Sequence, residues 1–300
     1  MDINRKNMDC LFLGFNTRFT AALESVPDTW QHFCGVIPSG SGTNVYPFLE
    51  QFGGMREWIG DRHIKNLSSQ KLEVVNRDFE DTVSVSRNDI EDDQYGIYSS
   101  LIAQMGYNAG KLWQQLAVEA LLSEHNWIDS LPFFSDERMY GNDRVVNRFA
   151  ESLSAESYAA ARRTMMEYCG HNGRNLGIVP NLLIVGPKNE SAAFSILKDR
   201  LMLREFGNGV GATDNPWNGS AELLVLPELS GEQEDLWFLC ATAGVLKPIF
   251  VQQRKLPVLV RMDHDSDENV FARKEYIYGA DARGEAFLAF PHLICRGGKA

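Results

Sequence analysis

Three hundred residues, 44% hydrophobic and 23% charged, make a globular chain of one large domain or two ordinary ones, able to bury a core without disulfide or metal staples. The formal charge of -11 excludes a general nucleic-acid binder, which needs basic surface to displace counterions. It is compatible with a surface that lies near DNA without gripping it. The five cysteines (Cys10, Cys34, Cys169, Cys240 and Cys295) form no CxxC pair, and an odd, scattered set points to a reducing compartment. The opening MDINRKNMDCLFLGF has an apolar run that is broken by Gly14 and, just beyond it, by Asn16 and Arg18, and it does not read as a signal peptide. No run approaches the roughly 20 apolar residues of a membrane helix, so the expectation is a soluble protein made in a cytoplasm.

In chain order, Phe12, Phe15, Phe19 and Leu23 recur at helical spacing until Pro27, which predicts an N-terminal helix docked either on its own domain or on a neighbour. Pro38, Gly40 and Gly42 mark a loop, NVYPFL reads as an edge strand because Pro47 lacks a donor, and Gly53-Gly54 marks a turn. From Lys71 to Arg87 the chain alternates: Val75, Phe79, Val83 and Val85 fall on one face, Glu80, Thr82, Ser84 and Ser86 on the other. Unbroken, that ribbon would span on the order of 50 Å, so it either projects from its domain or bends sharply across it. Eight acids against three bases lie between Lys71 and Asp93.

The period changes from Gly96 to Leu122, where Ile97, Leu101, Met105, Leu112, Leu116 and Ala120 step by three or four. This predicts an amphipathic helix of roughly 40 Å, with Glu91, Asp92 and Asp93 favoured near its N-terminus by the helix dipole. Gly106 and Gly110 inside it cost about 1 kcal/mol each relative to Ala, a loss that a close backbone neighbour would offset. After an irregular stretch, Ser154 caps a helix with Tyr158, Arg162, Met165 and Cys169 on one stripe, ended by Gly170. VPNLLIVGP reads as a buried strand, and a helix is predicted from Ser191 towards Arg204. ELLVLP, DLWFLCA, PIFV, PVLVR, VFARKEYIYGA and EAFLAFPHLIC read as short strands. Helices and strands mixed without a regular βαβ beat predict an α+β fold.

Few motifs carry chemistry. Gly207-Asn208-Gly209-Val210-Gly211 resembles a phosphate cradle, but such a cradle follows a strand and opens a helix, and here a helix is expected before it and a loop after; it reads as surface loop. Asp263-His264-Asp265-Ser266-Asp267-Glu268 lacks the alternating ligands and glycine of a calcium loop and reads as a solvated acidic turn between strands. The six histidines are scattered, and there is no GxSxG elbow. No catalytic, cofactor or metal residue is therefore nominated. A hydrolase with a dispersed active site, or a small-molecule binder using Gly207–Gly211, are the alternatives to a structural role.

Specific residues favour the structural role. Glu57-Trp58-Ile59-Gly60-x-Arg62, then Phe79-Glu80-x-Thr82-x-x-x-Ser86-Arg87-x-Asp89-x-Glu91-Asp92-Asp93-x-x-Gly96-x-Tyr98, resemble the major head subunit gpT family of Mu-like phages and prophages. The likeness continues through Phe133-Phe134, Leu153-Ser154-x-Glu156-Ser157, Asn215-Pro216-Trp217-x-Gly219-x-Ala221-Glu222-Leu223, Leu246-Lys247-Pro248 and Glu275-x-x-x-Tyr278-Gly279-x-Asp281-Ala282-Arg283. Each piece alone is moderate, and together, in order over nearly the whole chain, they are specific.

The resemblance implies a major capsid protein of the Hong Kong 97 type fold: an N-terminal arm at 1–35, an E-loop hairpin at 40–92, a peripheral domain with a long spine helix at 93–130 and 263–300, and an axial domain at 131–262. It implies self-association into pentamers and hexamers of an icosahedral virion capsid. The implied partners are a scaffold, a maturation protease, portal and head-completion proteins, and packaged DNA enclosed without sequence-specific binding. The site of assembly would be the host bacterial cytoplasm. Trp58, Ile59, Arg62, Phe79, Glu80, Arg87, Asp89, Glu91 and Asp92 are the candidate contacts between subunits.

Overall fold

The computed structural model describes residues 3–47, 71–92, 95–140, 143–170, 173–206 and 209–299. The first helix, α1 (Arg5–Glu24), starts where the Asn4 side chain accepts a hydrogen bond from the Asn7 backbone N–H at 2.9 Å, satisfying one of the free donors of the first turn. Met8, Leu11, Phe15 and Phe19 are its buried residues, with Phe12 and Leu23 packed at the margin. The aromatic spacing thus marks one side of the buried face, and α1 docks on its own chain.

Strand β1 (Cys34–Pro38) runs parallel to a strand more than 200 residues later, Cys34 facing Ile249 and Pro38 facing Gln253. Next, β2 (Thr43–Pro47) pairs antiparallel with β3 (Lys71–Val75) in a two-stranded sheet. The single long ribbon expected over 71–87 does not form. It breaks at Asn76, and β4 (Arg77–Ser86) joins a different, four-stranded sheet. Buried Asn76 donates from Nδ2 to Ser39 Oγ (2.9 Å) and the Ser41 carbonyl (2.8 Å), and its Oδ1 accepts from Gln252 Nε2 at 2.7 Å. The break changes the inward parity: Val74 is buried and Val75 exposed before it, whereas Phe79, Val83 and Val85 turn inward after it. The last residues of the expected ribbon start a short helix, α2 (Arg87–Glu91).

The long helix α3 (Tyr95–Leu122) is about 42 Å long. Its first two predicted core residues, Ile97 and Leu101, are 68% and 47% exposed; the buried face begins at Ile102 and Met105. Gly106 and Gly110 are where α1 crosses. A Cβ on Gly106 would stand 2.3 Å from the Phe19 carbonyl oxygen, and one on Gly110 2.8 Å from that of Leu23.

After a small hairpin, β5 (Arg138–Tyr140) and β6 (Asp143–Val145), helix α4 (Ala155–Glu167) opens on a reciprocal cap between Ser154 and Ser157. It ends at Glu167 because Tyr168 turns extended, so Cys169 lies beyond its stripe. Strand β7 (Leu182–Val185) is buried at every residue. Helix α5 (Glu190–Leu197) is shorter than expected: the chain from Leu201 onward is β8 (Leu201–Phe206), paired antiparallel with β9 (Gly209–Asp214). The apolar residues of 201–206 fit a strand as well as a helix, and pairing decided between them.

Strands β10 (Glu222–Val225) and β11 (Trp237–Cys240) flank β7, and β14 (Ile294–Gly297) closes this second sheet in the order β10-β7-β11-β14. The first sheet has the order β1-β12-β13-β4, with β12 at Ile249–Met262 and β13 at Glu275–Leu288. There PIFV and PVLVR merge into one strand, β12 (Ile249–Met262), with irregular register between Gln253 and Lys255 and between Lys255 and Val258, spanning Pro257. VFARKEYIYGA, read as one strand, divides: α6 (Glu268–Arg273) ends at Lys274 in the left-handed conformation (φ 54°), and β13 (Glu275–Leu288) runs on through EAFL. The C-terminal half of α3 lies in a core shared by both sheets, Leu112, Leu116 and Leu121 packing in one cluster with Ile184, Phe238, Ile249 and Val251.

Candidate assembly surfaces

Among the described residues no group of three or more His, Cys, Asp or Glu is placed to hold a metal. The five cysteines are free; burial pushes the Cys34 and Cys240 thiols up and carries Cys295 to about 12. The glycine-rich segment connects two antiparallel strands, with Gly209 already in β9 and Gly207 and Asn208 outside the described residues. No helix follows it, so the arrangement needed to aim backbone donors at a phosphate is absent there.

The acidic turn is only partly solvated. Asp263 is 2% exposed at its side chain and faces Arg5 Nη1 and Arg261 Nη1, each at 3.4 Å, with the Tyr278 hydroxyl at 3.5 Å. Arg261 also reaches Asp9 at 2.7 Å and lies 4.4 Å over the Phe12 ring. The cluster ties α1 to the end of β12. Burial raises the Asp263 pKa, and the two arginines only partly oppose that rise because their contacts are long.

The nine sequence candidates divide into three groups. Trp58, Ile59 and Arg62 lie outside the described residues. Phe79 and Glu80 lie on β4: Phe79 is half-buried beneath the Arg77 guanidinium at 5.3 Å, and the exposed Glu80 accepts from Thr82 Oγ1 at 2.6 Å. Arg77 is itself held by Glu285 (2.6 Å) and Glu119 (2.7 Å). Arg87, Asp89 and Glu91 lie on α2, and Asp92 follows it. Arg87 Nε bonds Glu91 at 3.0 Å, and the Tyr98 hydroxyl donates a short hydrogen bond to Asp89 that raises the Tyr98 pKa. Several charges proposed for neighbours therefore already have partners inside the subunit, which fixes their positions.

Sequence reasoning missed an exposed apolar row on β12. Leu256, Val258, Val260 and Met262 alternate along β12, each exposed, on the face opposite buried Leu259. Beyond Gln253, β1 no longer pairs with β12, so among the described residues this stretch is hydrogen-bonded on one side, by β13. The alternation was visible as PVLVRM, but which half would face water was not. Ile97 and Leu101 on α3 are exposed as well.

A long helix laid over a four-stranded sheet with two 14-residue strands, joined through a shared core to a second sheet, is the Hong Kong 97 type fold of tailed-phage major capsid proteins. The chain is similar to the procapsid protein of bacteriophage JBD30, at a TM-score of 0.61 and 26% identity over 99% of this chain and 77% of that one. The virus-like particle protein of Pyrococcus furiosus shares the fold at a TM-score of 0.55 and 11% identity, over 95% of this chain and 98% of that one.

Within that class, the chain belongs to the family of the Mu-like prophage major head subunit gpT, whose sequence profile matches residues 8–150, 140–229 and 228–299. It is 25% identical over 287 residues to the Mu-like prophage FluMu major head subunit of Haemophilus influenzae, covering 95% of this chain and 71% of that protein. It is 22% identical over 290 residues to the major capsid protein of Escherichia phage Mu, covering 97% and 73%. As a major head subunit it is a structural component of the virion rather than an enzyme. Among the described residues no helix is long and apolar enough to cross a membrane.

Proposed function

We propose that this chain assembles as pentamers and hexamers into a closed icosahedral head that encloses double-stranded DNA, and that it does so in the host bacterial cytoplasm. Its membership of the gpT family carries the reading, and the uncovered apolar row on β12 supports it. The division into an arm at 1–35, an E-loop at 40–92, a peripheral domain at 93–130 and 263–300 and an axial domain at 131–262 is part of the same proposal. The division follows the chain rather than the sheets, since β12 pairs in the sheet with β13 and β14 in the sheet with β7.

In this reading Trp58, Ile59, Arg62, Phe79, Glu80, Arg87, Asp89, Glu91 and Asp92 meet neighbouring subunits. Charges repeated around a shell set register and reject wrong neighbours although one exposed pair contributes only about 0–1 kcal/mol. Ring-forming faces are heterologous, and many modest contacts add up to a stable shell. A scaffold, a maturation protease, portal and head-completion proteins would be the further partners. The net charge of -11 suits an inner wall that holds its DNA loosely.

Electron microscopy with light scattering of the purified chain, with and without scaffold, tests the reading. Rings, tubes or shells are expected. A persistent monomer under all salt and scaffold conditions sinks it.

A further inference from the structure

α6 presents Phe271 with 88% of its surface in solvent, the most exposed phenylalanine among the described residues. The helix that carries it is not loose. Val270 and Asn269 beside it are buried, and Asn269 Nδ2 clamps the strand ends on both sides, donating to the carbonyls of Met262 (3.0 Å) and Glu275 (2.7 Å). Lys274 then turns the chain sharply into β13. A rigid knob bearing an uncovered aromatic ring loses little conformational entropy on docking, which is the usual make-up of an interface anchor.

Elsewhere on the subunit an open cleft of about 460 Å³ lies between the middle of α3 and the sheet, floored by Phe79, Leu112 and Ala282 with Pro257 at one side. Its walls carry Glu80 and Asp81 from β4, Lys111 from α3, and Asp281, which is already paired with Lys255. On the knob Arg273 and Lys274 follow Phe271, and Asp265, Asp267 and Glu268 precede it. The two signs are separated on either side of the ring, as they are between β4 and α3 at the cleft, so one orientation sets basic against acidic while the ring meets an apolar lining.

We propose that Phe271 of one copy seats in the Phe79–Leu112–Ala282 cleft of another, with Arg273 and Lys274 against Glu80 and Asp81 and Glu268 against Lys111. The contact is heterologous, knob to cleft, and so repeats around a ring or lattice. It rests on the assembly reading above and names the residues for one of its contacts.

The test uses the full chain with Cys10→Ser. Copies carrying Phe271→Cys are mixed with copies carrying Asn108→Cys, a residue lining the cleft, assembled, oxidised, and read by mass spectrometry of linked peptides. A 271–108 link in particles and none in unassembled subunits is expected. Separately, Phe271→Ala should raise the concentration needed for assembly about tenfold or more and leave the subunit's melting temperature unchanged. Particles lacking the 271–108 link, or Phe271→Ala subunits that assemble at the wild-type concentration, overturn this contact alone. Wild-type chain that never assembles overturns the assembly reading and this contact with it.

Discussion

Gly106 of α3 faces the carbonyl oxygen of Phe19 in α1 so closely that a methyl group at Gly106 would stand 2.3 Å from it. Two helix backbones touch here. The glycine that weakens α3 as an isolated helix is what lets α1 lie flat on it and bury Phe15 and Phe19.

Gly106→Ala is therefore expected to destabilise the subunit by about 1–3 kcal/mol, because overpacking against backbone outweighs a propensity gain of about 1 kcal/mol. Gly14→Ala in α1, where a Cβ meets nothing within 4 Å, should instead stabilise it by about 0.5–1 kcal/mol. Urea denaturation of both variants checks the contrast. Equal and opposite signs to these would mean that α1 does not dock as described.

Asn76 is the joint between the two-stranded and four-stranded sheets. Asn76→Ala removes its bonds to Ser39, Ser41 and Gln252 and leaves buried polar atoms unpaired. A loss of about 1–3 kcal/mol is expected for such a group. Amide exchange should show the loss spreading to β2 and β3, with β13 still protected.

Asp263 has its pKa raised by burial despite Arg5 and Arg261. A carboxyl whose folded pKa lies above its unfolded value contributes stability at acid pH that is lost as pH rises through the folded value. Wild-type stability should thus fall relative to Asp263→Asn as pH climbs from about 4 through the raised pKa, then level off. A difference that rises with pH in that window would show that the ion pairs, not burial, dominate.

Ile97 and Leu101 are exposed in the subunit although they belong to the apolar stripe of α3. Ile97→Ser with Leu101→Ser should change subunit stability by about 0.5 kcal/mol or less and impair particle formation measured by light scattering. A large stability loss with normal particles would place these side chains inside the subunit core.

The sequence by itself determined the periodic elements. Alternation named β4, the 3.6 spacing named α1 and α3, and the run LLIV bounded by prolines named β7, because local burial imprints a period on the chain. The order of short motifs also determined the family and with it the fold. Tertiary structure decided what local pattern leaves open. Only pairing partners could break the ribbon at Asn76, join PIFV to PVLVR across Pro257, and turn 201–204 from the end of a helix into a strand. Only the docked α1 could explain Gly106 and Gly110, and only the sheet's two faces could leave Leu256, Val258, Val260 and Met262 outside. The physical reason is the same in each case: period records that one face is apolar, whereas what covers that face depends on residues far away in the chain.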